Sequence, residues 1–472
     1  MRQYVYFIIV ALSLFACKND NDQSDYAYLG GEIINPNNNF IVLSRADQVI
    51  DTISLDSHNR FVYKLKNLNP GMYTFRHGSE VQTVFLEPLD SIMFRLNTFD
   101  FDESLVYTGE GAKKNNYLIN EFLQNEIDEH KIFKLCQLNP EAFEKQIDSI
   151  KNNKTEKLNR FKNKYKTSPL FNKIAQSNID YSYYSSKEIY PFVNYNSNKR
   201  NLLKSLPKDF YSYRKNIEYN NELYNTSYLN YNSFLRSSFN NIALEKHLNH
   251  SKEDCFNNTS LCYNLDKLNI VDSLVVNTSI KNELLYYFTI SFLTKNKNID
   301  NDNVILKSFL NKSTDDKNKE IITNLVHSLN NLKPGGTFPN IDLVNTENGE
   351  LKIKSVISKP TVIYFWSNKF YDHFKKTHHK ASELKIKYPE MHFIAINIDD
   401  INLNSWRNTL KRNNFSLRNE YQFEKPEESM NILAVYPITK VFIIDKDNSI
   451  VNSNTNMFAS NFEEQLLGLL NR

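Results

Sequence analysis

The sequence is poor in glycine and has no excess of charge of one sign, and both shortages exclude functions. Only 10 of its 472 residues are glycine, and they form no glycine-rich loop of the kind that cradles nucleotide phosphates. The 57 basic and 54 acidic residues nearly balance, giving a net charge of +3. The basic excess typical of nucleic-acid binding is therefore missing. With 40% hydrophobic residues, the chain is long enough for two or three domains.

Cysteine is also scarce, with four in the chain and none beyond residue 262. If Cys17 is modified at the N-terminus, three remain, and an odd number leaves at least one thiol outside any disulfide within the chain. These three are Cys136, Cys255 and Cys262. The last two flank a short polar segment, so they form either a loop disulfide or two separate buried thiols. Spacing alone does not decide between these alternatives.

Residues 1–16 have the layout of a secretory signal. Arg2 supplies a positive charge, Val5 to Phe15 is largely apolar, and the small residue Ala16 precedes a cysteine. A membrane-spanning helix needs about 20 apolar residues, and this run is shorter. We therefore expect the segment to be removed. The alternative is an ordinary signal peptide followed by an incidental cysteine.

The four residues that end at Cys17 resemble the lipobox of bacterial lipoproteins; they are Leu14-Phe15-Ala16-Cys17. The resemblance implies that Cys17 carries a diacylglyceryl group and an N-acyl chain, such as palmitate, which together anchor a protein stably in a membrane. Residues 17–25 are polar and acidic and predict a solvated tether. An acidic stretch at this place resembles a surface-export signal of some Gram-negative bacteria. We expect a lipid-anchored envelope protein, in the outer membrane, on its periplasmic or its surface face.

Residues 26–110 predict an antiparallel β-sandwich, because short β-like segments alternate with polar turns. Six candidate strands cover residues 40–44, 49–54, 60–65, 73–77, 81–86 and 91–96. The stretch Leu68-Asn69-Pro70-Gly71-Met72-Tyr73 resembles the small β-sandwich of unknown function that often precedes thioredoxin-like domains in envelope lipoproteins. No cluster of catalytic residue types occurs in it. A binding or spacer role is therefore the interpretation that we prefer.

Residues 111–331 predict a helical region. Asn139-Pro140 and Ser168-Pro169 are typical helix starts, with a capping side chain followed by proline at the first helical position. A third start is predicted at Pro207-Lys208-Asp209. Residues 271–293 are apolar on most faces and predict one central helix. Many tyrosines lie between residues 181 and 231. They form either an exposed binding surface or, as we favour, packing contacts with a solvated hydroxyl.

Residues 332–472 alternate between strand and helix patterns, which predicts an α/β layer with helices on both faces of a mixed sheet. The predicted strands are 361–366, 392–398, 438–445 and 450–452, and the predicted helices are 370–388, 403–413, 427–433 and 461–470. The whole chain is thus expected to be a multidomain α+β protein. It would hold a β-sandwich, a helical middle region and a C-terminal α/β domain.

Three ordered motifs in this last region resemble the TlpA-like thioredoxins and peroxiredoxins of the AhpC/TSA-like type. They are the segments 333–339 (KPGGTFP), 361–367 (TVIYFWS) and 434–439 (AVYPIT), the last followed by a strand from Val441. In that family the second motif runs into the Trp-Cys-x-x-Cys turn, and the third holds a cis-proline. The resemblance implies a thioredoxin-like domain over residues 332–472, with a cis bond before Pro437.

The same resemblance places the two active-site cysteines of the family on Phe370 and His373, with Tyr371 and Asp372 between them. The family's chemistry needs a thiolate that attacks a disulfide and a second cysteine that resolves the product. Neither phenylalanine nor histidine can form a mixed disulfide. We therefore expect no catalytic residue at this degenerate turn, no cofactor, and a domain without redox activity.

The other motifs of the family are retained around the degenerate turn, which leaves two alternatives for the function of the surface beside it. A groove at Trp366, Tyr436 and Pro437 could bind an extended peptide, or the surface could bind nothing. Our hypothesis is that the protein binds or scaffolds another envelope protein or peptide without turnover. The competing class is an enzyme, either a thiol–disulfide oxidoreductase that uses a cysteine of the middle region or a metal-dependent activity at the turn.

The metal alternative depends on four residues near the start of one helix; they are Asp372, His373, His378 and His379. Imidazole with carboxylate suits zinc or copper. Their spacing fits chelation poorly, because neighbours on one helical face are three or four residues apart. We therefore expect solvated side chains here and no metal.

The lipid anchor gives the first testable prediction. Replacing Cys17 by serine removes the acylated thiol, so the Cys17→Ser chain should no longer incorporate a labelled palmitate analogue and should leave the membrane fraction. Cys136→Ser serves as the matched control and should stay labelled and membrane-bound. Equal labelling of Cys17→Ser and the unaltered chain would contradict the assignment.

Overall fold

The computed structural model describes residues 25–46, 48–78, 80–222, 229–251, 256–296, 298–399 and 403–471. They fall into two compact units. The first holds residues up to 241 together with 256, and the second holds the remainder. The predicted signal segment, the lipidation site Cys17 and Cys255 lie outside the described residues, so the lipid anchor and the disulfide question stay predictions.

The first unit begins with two four-stranded sheets. Their strands are β1 (Tyr26–Ile34), β2 (Phe40–Arg45), β3 (Gln48–Ser54), β4 (Arg60–Lys66), β5 (Gly71–His77), β6 (Glu80–Leu86), β7 (Ser91–Asn97) and β8 (Val106–Glu110). One sheet has the order β4-β1-β7-β8 and the other β3-β2-β5-β6. Ile92, Phe94 and Leu96 alternate with outward-facing residues along β7, as the period of two along a strand requires. The ring of Phe94 stacks on Phe75 at 4.6 Å.

All six predicted strands are present, with ends shifted by one or two residues. The prediction of a purely antiparallel sandwich is wrong at one pair, because β1 runs parallel to β7. The sequence pattern does not predict β1 or β8. Gly30 and Gly31 interrupt the β pattern of β1, and glycine is a weak strand former. A Cβ atom on Gly30 would lie 2.8 Å from the carbonyl oxygen of Phe61 on β4. The close approach of the two strands therefore requires the same glycine that weakens the β pattern of the sequence.

Helices follow the sandwich in the first unit: α1 (Ala112–Leu135), α2 (Pro140–Lys164), α3 (Pro169–Val193) and the short α4 (Lys199–Lys204). Two of the three predicted helix starts are confirmed, whereas the third, at residues 207–209, leads into a turn followed by the short 3-10 helix Ser212–Asn216. The side chain of Asn139 accepts a hydrogen bond from the N–H of Ala142 at 2.9 Å, and the Ser168 hydroxyl accepts one from Phe171 at 3.0 Å. Each cap satisfies a backbone donor that the helix itself leaves unbonded.

Tyrosines of this region serve as packing residues where the structure describes them. Tyr190 and Tyr231 are fully buried. Their hydroxyls donate to the carbonyl oxygens of Leu138 at 2.7 Å and Glu218 at 2.6 Å. This arrangement is the usual way to bury a tyrosine. Tyr195 is an exception, with 80% of its surface exposed.

The second unit contains the end of α5 (Leu229–His250) and then α6 (Leu261–Leu274), α7 (Thr278–Leu293), α8 (Ile299–Lys312) and α9 (Asp316–Asn331). The prediction of one helix over residues 271–293 is wrong. The backbone is extended at Val275, and the side chain of Asn277 accepts a hydrogen bond from the N–H of Ile280 at 3.1 Å. The break follows from this new N-cap, since an asparagine cap starts a helix that the apolar pattern alone would continue.

A seven-stranded mixed sheet completes the second unit, with the order β10-β9-β13-β12-β11-β14-β15. Its strands are β9 (Asp342–Asn345), β10 (Glu350–Lys352), β11 (Thr361–Trp366), β12 (His392–Asn397), β13 (Glu420–Phe423), β14 (Val441–Ile444) and β15 (Ile450–Thr455). The helices are α10 (Tyr371–Lys387), α11 (Leu403–Arg412), α12 (Pro426–Ile432) and α13 (Phe462–Leu470). The strands β11, β12 and β13 are parallel, and the other pairs are antiparallel. The predicted mixed α/β layer is confirmed.

Two hydrophobic cores lie against this sheet. One contains Trp366, Phe374 and Leu384, and the other contains Phe365 and Phe442. Because successive residues of a strand point to opposite faces, Phe365 and Trp366 on β11 serve one core each. No helix in the described part of the chain is both long and apolar enough to cross a membrane.

Candidate functional site

The degenerate turn lies where the central strand of the mixed sheet meets a helix. Every residue of β11 is buried, and β11 pairs with β12 on one side and β14 on the other. The chain turns after Trp366, and α10 begins at Tyr371. The carboxyl ends of parallel strands are where open α/β sheets place their ligands. The fold therefore presents this turn at the edge where a site is expected.

A buried carboxylate holds the backbone of the turn. Asp399, 3% exposed, accepts hydrogen bonds from the Ser367 hydroxyl at 2.5 Å and from the backbone N–H of Asn368 at 2.7 Å. The side chain of Asn397 also donates to Asp399, at 3.2 Å, and Gln422 donates to the Asp399 carbonyl oxygen at 2.7 Å. Hydrogen bonds that involve a charged group are the strong ones, so this network fixes the turn.

Sequence reasoning did not find these network residues, although a signal was present. Ser367 directly follows β11, Asn397 ends β12, and Gln422 lies in β13. Polar side chains at the ends of three adjacent parallel strands must meet at one edge of the sheet. The order of the strands was needed to see that they belong together.

The predicted turn residues point in different directions. Phe370 is 54% and Tyr371 46% exposed, and Asp372 is exposed as well. The Tyr371 hydroxyl donates to the side chain of Asn413 at 2.8 Å. His373 turns inward, with its Nε2 atom 3.1 Å from the carbonyl oxygen of Phe365. The exposed surface of the turn thus has two aromatic side chains, Phe370 just before α10 and Tyr371 at its first position, flanked by the charged residues Lys369 and Asp372.

The histidines of α10 do not converge on one point. Burial lowers the pKa of His373, and the nearby carbonyl oxygen of Phe365 offsets part of this effect. His378 is buried, with Nδ1 2.8 Å from the Phe374 carbonyl oxygen and Nε2 3.2 Å from a Glu420 carboxylate oxygen. His379 is exposed. Across the described residues, these side chains form no group that could hold a metal ion.

The loop before β14 has the expected cis bond, between Tyr436 and Pro437. Two details of the predicted groove need correction. The Tyr436 N–H already donates to the carbonyl oxygen of Ala434 at 2.8 Å, so it is not free for a peptide. Trp366 is fully buried, with its ring 4.7 Å from the ring of Phe374. It therefore packs in the core beneath the turn and cannot line a surface groove. The exposed residues of the loop are Tyr436, at 59%, and Pro437.

A buried lysine positions this loop. Lys440 is 3% exposed, and its Nζ atom donates to the carbonyl oxygens of Leu433 at 3.0 Å and Ala434 at 2.9 Å. Burial lowers the pKa of Lys440 to about 7. The amine can donate to both carbonyl oxygens whether it is protonated or neutral. The lysine therefore fixes the residues that lead into Tyr436.

The turn itself contains no thiol, and no described cysteine lies in the layer that carries it. No cysteine occurs from residue 263 to the C-terminus. Cys136 belongs to the first unit, where burial raises its pKa to about 12, and a thiol with so high a pKa is a poor nucleophile. Cys262 is exposed on α6, outside the layer that carries the turn.

Comparisons with known proteins gave matches among solved structures only. No protein-family model matches the chain, and no curated protein matches it. Its solved neighbours are thioredoxin-like. A protein of Bacteroides vulgatus, described as a candidate thiol-disulfide oxidoreductase, is 18% identical and covers 29% of this chain and 97% of its own length, with a TM-score of 0.26.

Two further solved structures are similar. A thioredoxin-like protein from Bacteroides caccae is 12% identical over 54% of this chain and 89% of its own, with a TM-score of 0.33. A thiol:disulfide interchange protein from a Bacteroides species is 15% identical over 26% of this chain and 80% of its own, with a TM-score of 0.22. At such identities and scores, the likeness carries no activity over to this chain.

The lowered pKa of Lys440 predicts a pH dependence. In the unfolded chain the lysine titrates near 10.5, whereas in the folded chain it titrates near 7. Between these values the unfolded state binds more protons, so the free energy of unfolding should rise with pH from 7 to 9, by at most about 1.4 kcal/mol per pH unit.

Urea unfolding at several pH values measures this slope in the unaltered chain and in Lys440→Met. The pKa of Lys267 is also lowered to about 7 by burial, but Lys267 is present in both chains. The difference between the two slopes therefore isolates Lys440. Equal slopes would show that the Lys440 amine is not perturbed.

Proposed function

We propose that this chain is a lipid-anchored envelope protein whose thioredoxin-like domain binds an extended segment of another envelope protein or peptide, without redox turnover. One observation carries the proposal. The turn after β11 keeps a fixed backbone, but presents Phe370 and Tyr371 where the resembled family has its thiol chemistry. A site that retains its frame and loses its nucleophile keeps the ability to bind and loses the ability to react.

The exposed aromatic side chains support binding. Phe370, Tyr371 and Tyr436 each leave about half of their surface open to solvent, at 54%, 46% and 59%. Burying one such side chain completely gains about 1.5–3 kcal/mol, and aromatic residues are enriched among those that dominate binding energy. The Asp399 network and Lys440 hold the two segments that carry these side chains. A partner would therefore meet a surface that needs little reorganisation.

The anchor and its location are part of the proposal. The lipobox-like segment ending at Cys17 and the acidic tether of residues 17–25 support lipid attachment in a Gram-negative outer membrane. A flexible tether lets the folded units reach a partner in the envelope while the lipid confines the search to the membrane surface.

Site-specific photo-crosslinking in intact cells tests the binding site. A photoreactive phenylalanine analogue at position 370 should capture a specific envelope protein or peptide, because the analogue retains the aromatic ring. Phe458 offers a matched control in the same unit, since it is also phenylalanine and is 51% exposed. The analogue at position 458 should not capture that partner.

Point replacement is preferable to deleting residues 332–472, because the helices α6 to α9 belong to the same compact unit as the mixed sheet. Identical products from positions 370 and 458, or none at position 370, would contradict binding at the turn. Tyr436→Ala should weaken the capture at position 370 at least about tenfold, the loss expected for one residue that dominates binding energy.

A further inference from the structure

A second cluster of reactive side chains lies away from the turn, between α5 and α6. His247 and His250 come from α5, and Cys262 and Asp266 come from α6. One ligand atom from each of the four lies within 4.8 Å of all the others. All four residues belong to the second unit. Within the described residues, this is the group of histidine, cysteine and acidic side chains whose geometry could hold a metal ion.

The spacing along each helix explains why the four side chains converge. His247 and His250 are three residues apart, and Cys262 and Asp266 are four apart. On an α-helix, residues at these separations lie on one face, with Cβ atoms about 5–6 Å apart. Each helix therefore supplies a pair of donors on the face that it turns toward the other.

One ligand atom from each residue lies within 4.8 Å of the other three, which is wider than a tetrahedral zinc site. His247 Nδ1 lies 3.9 Å from Asp266 Oδ2. The ring of His250 lies between the other helix's two donors, with Nε2 2.7 Å from Asp266 Oδ2 and Nδ1 3.8 Å from Cys262 Sγ, and one of these nitrogens would ligate the ion. Bonds of about 2.0–2.3 Å to zinc place tetrahedral ligands roughly 3.4 Å from each other. Moving the most distant donors closer by up to about 1.4 Å completes such a site.

Burial divides the cluster into a fixed half and an accessible half. His247 and Asp266 are 2% and 7% exposed, so packing holds them in place. The ring of Tyr263 packs against His247 at 5.8 Å. The side chain of His250 is 44% exposed, and Cys262 is exposed. An ion can therefore enter from solvent and meet a half-formed set of ligands.

A neighbouring cation fits this arrangement. The Lys246 Nζ atom lies 3.5 Å from Asp266 Oδ1, whereas the other carboxylate oxygen faces the histidines. A group that holds one oxygen of a ligating carboxylate orients the other toward the metal. The carboxylate is thus held in the monodentate orientation that a four-ligand site needs.

We propose that this cluster is a zinc site that fastens α5 to α6. Two imidazoles, one thiolate and one carboxylate suit a borderline-soft divalent ion such as Zn²⁺ and disfavour Ca²⁺ and Mg²⁺, which prefer oxygen ligands. Binding deprotonates the Cys262 thiol, and the proton leaves to solvent. Four protein ligands leave no open position, so the role is structural. The inference is independent of peptide binding at the turn.

The proposal also bears on two sequence expectations. It replaces the expectation that the chain holds no metal, which rested on the α10 histidines alone. It also assigns the Cys262 thiolate to zinc, which removes it from a disulfide with Cys255. The sequence carries the signal in two pairs with chelating spacing, His247/His250 and Cys262/Asp266. Only the packing of the two helices shows that the pairs face each other.

Cobalt binding to the full chain, purified and stripped of metal with a chelator, tests the site. Co²⁺ replaces zinc and reports its ligands by absorption. We expect one Co²⁺ per chain, with a visible tetrahedral spectrum and a thiolate-to-cobalt charge-transfer band in the near ultraviolet. Cys262→Ser should lose the charge-transfer band, and Zn²⁺ should displace the cobalt from the unaltered chain.

His250→Ala supplies the affinity test, because the exposed position of His250 makes the change compatible with folding. Zinc affinity, measured by competition with a chromophoric chelator, should fall at least about tenfold. His327→Ala is the matched control, since His327 is an exposed histidine on α9, and it should bind zinc as the unaltered chain does. Far-ultraviolet circular dichroism confirms that each variant is folded.

Three results would overturn the proposal. They are cobalt or zinc bound at well below one ion per chain, equal zinc affinities for His250→Ala and His327→Ala, and a charge-transfer band that survives in Cys262→Ser. Peptide mapping of the untreated chain without reduction adds an independent check. A disulfide between Cys255 and Cys262 in that map would exclude the thiolate ligand.

Discussion

The structure around the turn depends on one buried carboxylate. Asp399 accepts hydrogen bonds from the Ser367 hydroxyl and the backbone N–H of Asn368, and it lies beyond the end of β12, which pairs with the strand that leads into the turn. Removing the carboxylate would take the acceptor from these two donors and from the Asn397 side chain, at a cost of about 1–3 kcal/mol for each donor left unsatisfied. Because Asp399 fixes residues 367 and 368, the direction of the chain into Phe370 and α10 is also fixed. The exposure of Phe370 and Tyr371 thus follows from the backbone that Asp399 fixes.

Much of the fold could be predicted from local signals. The capped helix starts at Asn139 and Ser168 and the apolar strand β11 carry their information within a few residues, and all three were predicted. Strand β1 was not predicted, because Gly30 and Gly31 interrupt its β pattern. Glycine is required there because β4 and β7 approach too closely for a side chain. The single helix predicted over residues 271–293 failed at Asn277, where a cap outweighs an apolar pattern. These failures arise where tertiary packing or one side chain overrides periodicity.

The sites were less predictable than the fold, for a related reason. The turn could be located because its residues are consecutive and the absence of cysteine is visible in the sequence. The Asp399 network and the group around Asp266 bring together residues from separate elements, so their composition depends on strand order and helix packing. Lys440 shows the same limit. Its sequence neighbours do not reveal that it is buried and donates to two carbonyl oxygens.

The proposed function requires that the mixed α/β layer keeps the fold of the family that its three motifs resemble and lacks only the thiols. The most direct measurement is the rate at which the chain reduces a disulfide substrate such as insulin, compared with a variant that carries both Phe370→Cys and His373→Cys. We expect no activity for the unaltered chain and a clear gain for the double variant. Positions 370 and 373 lie three residues apart at the start of α10, on a backbone that the Asp399 network fixes. Activity in the unaltered chain, or no gain in a folded double variant, would contradict this requirement.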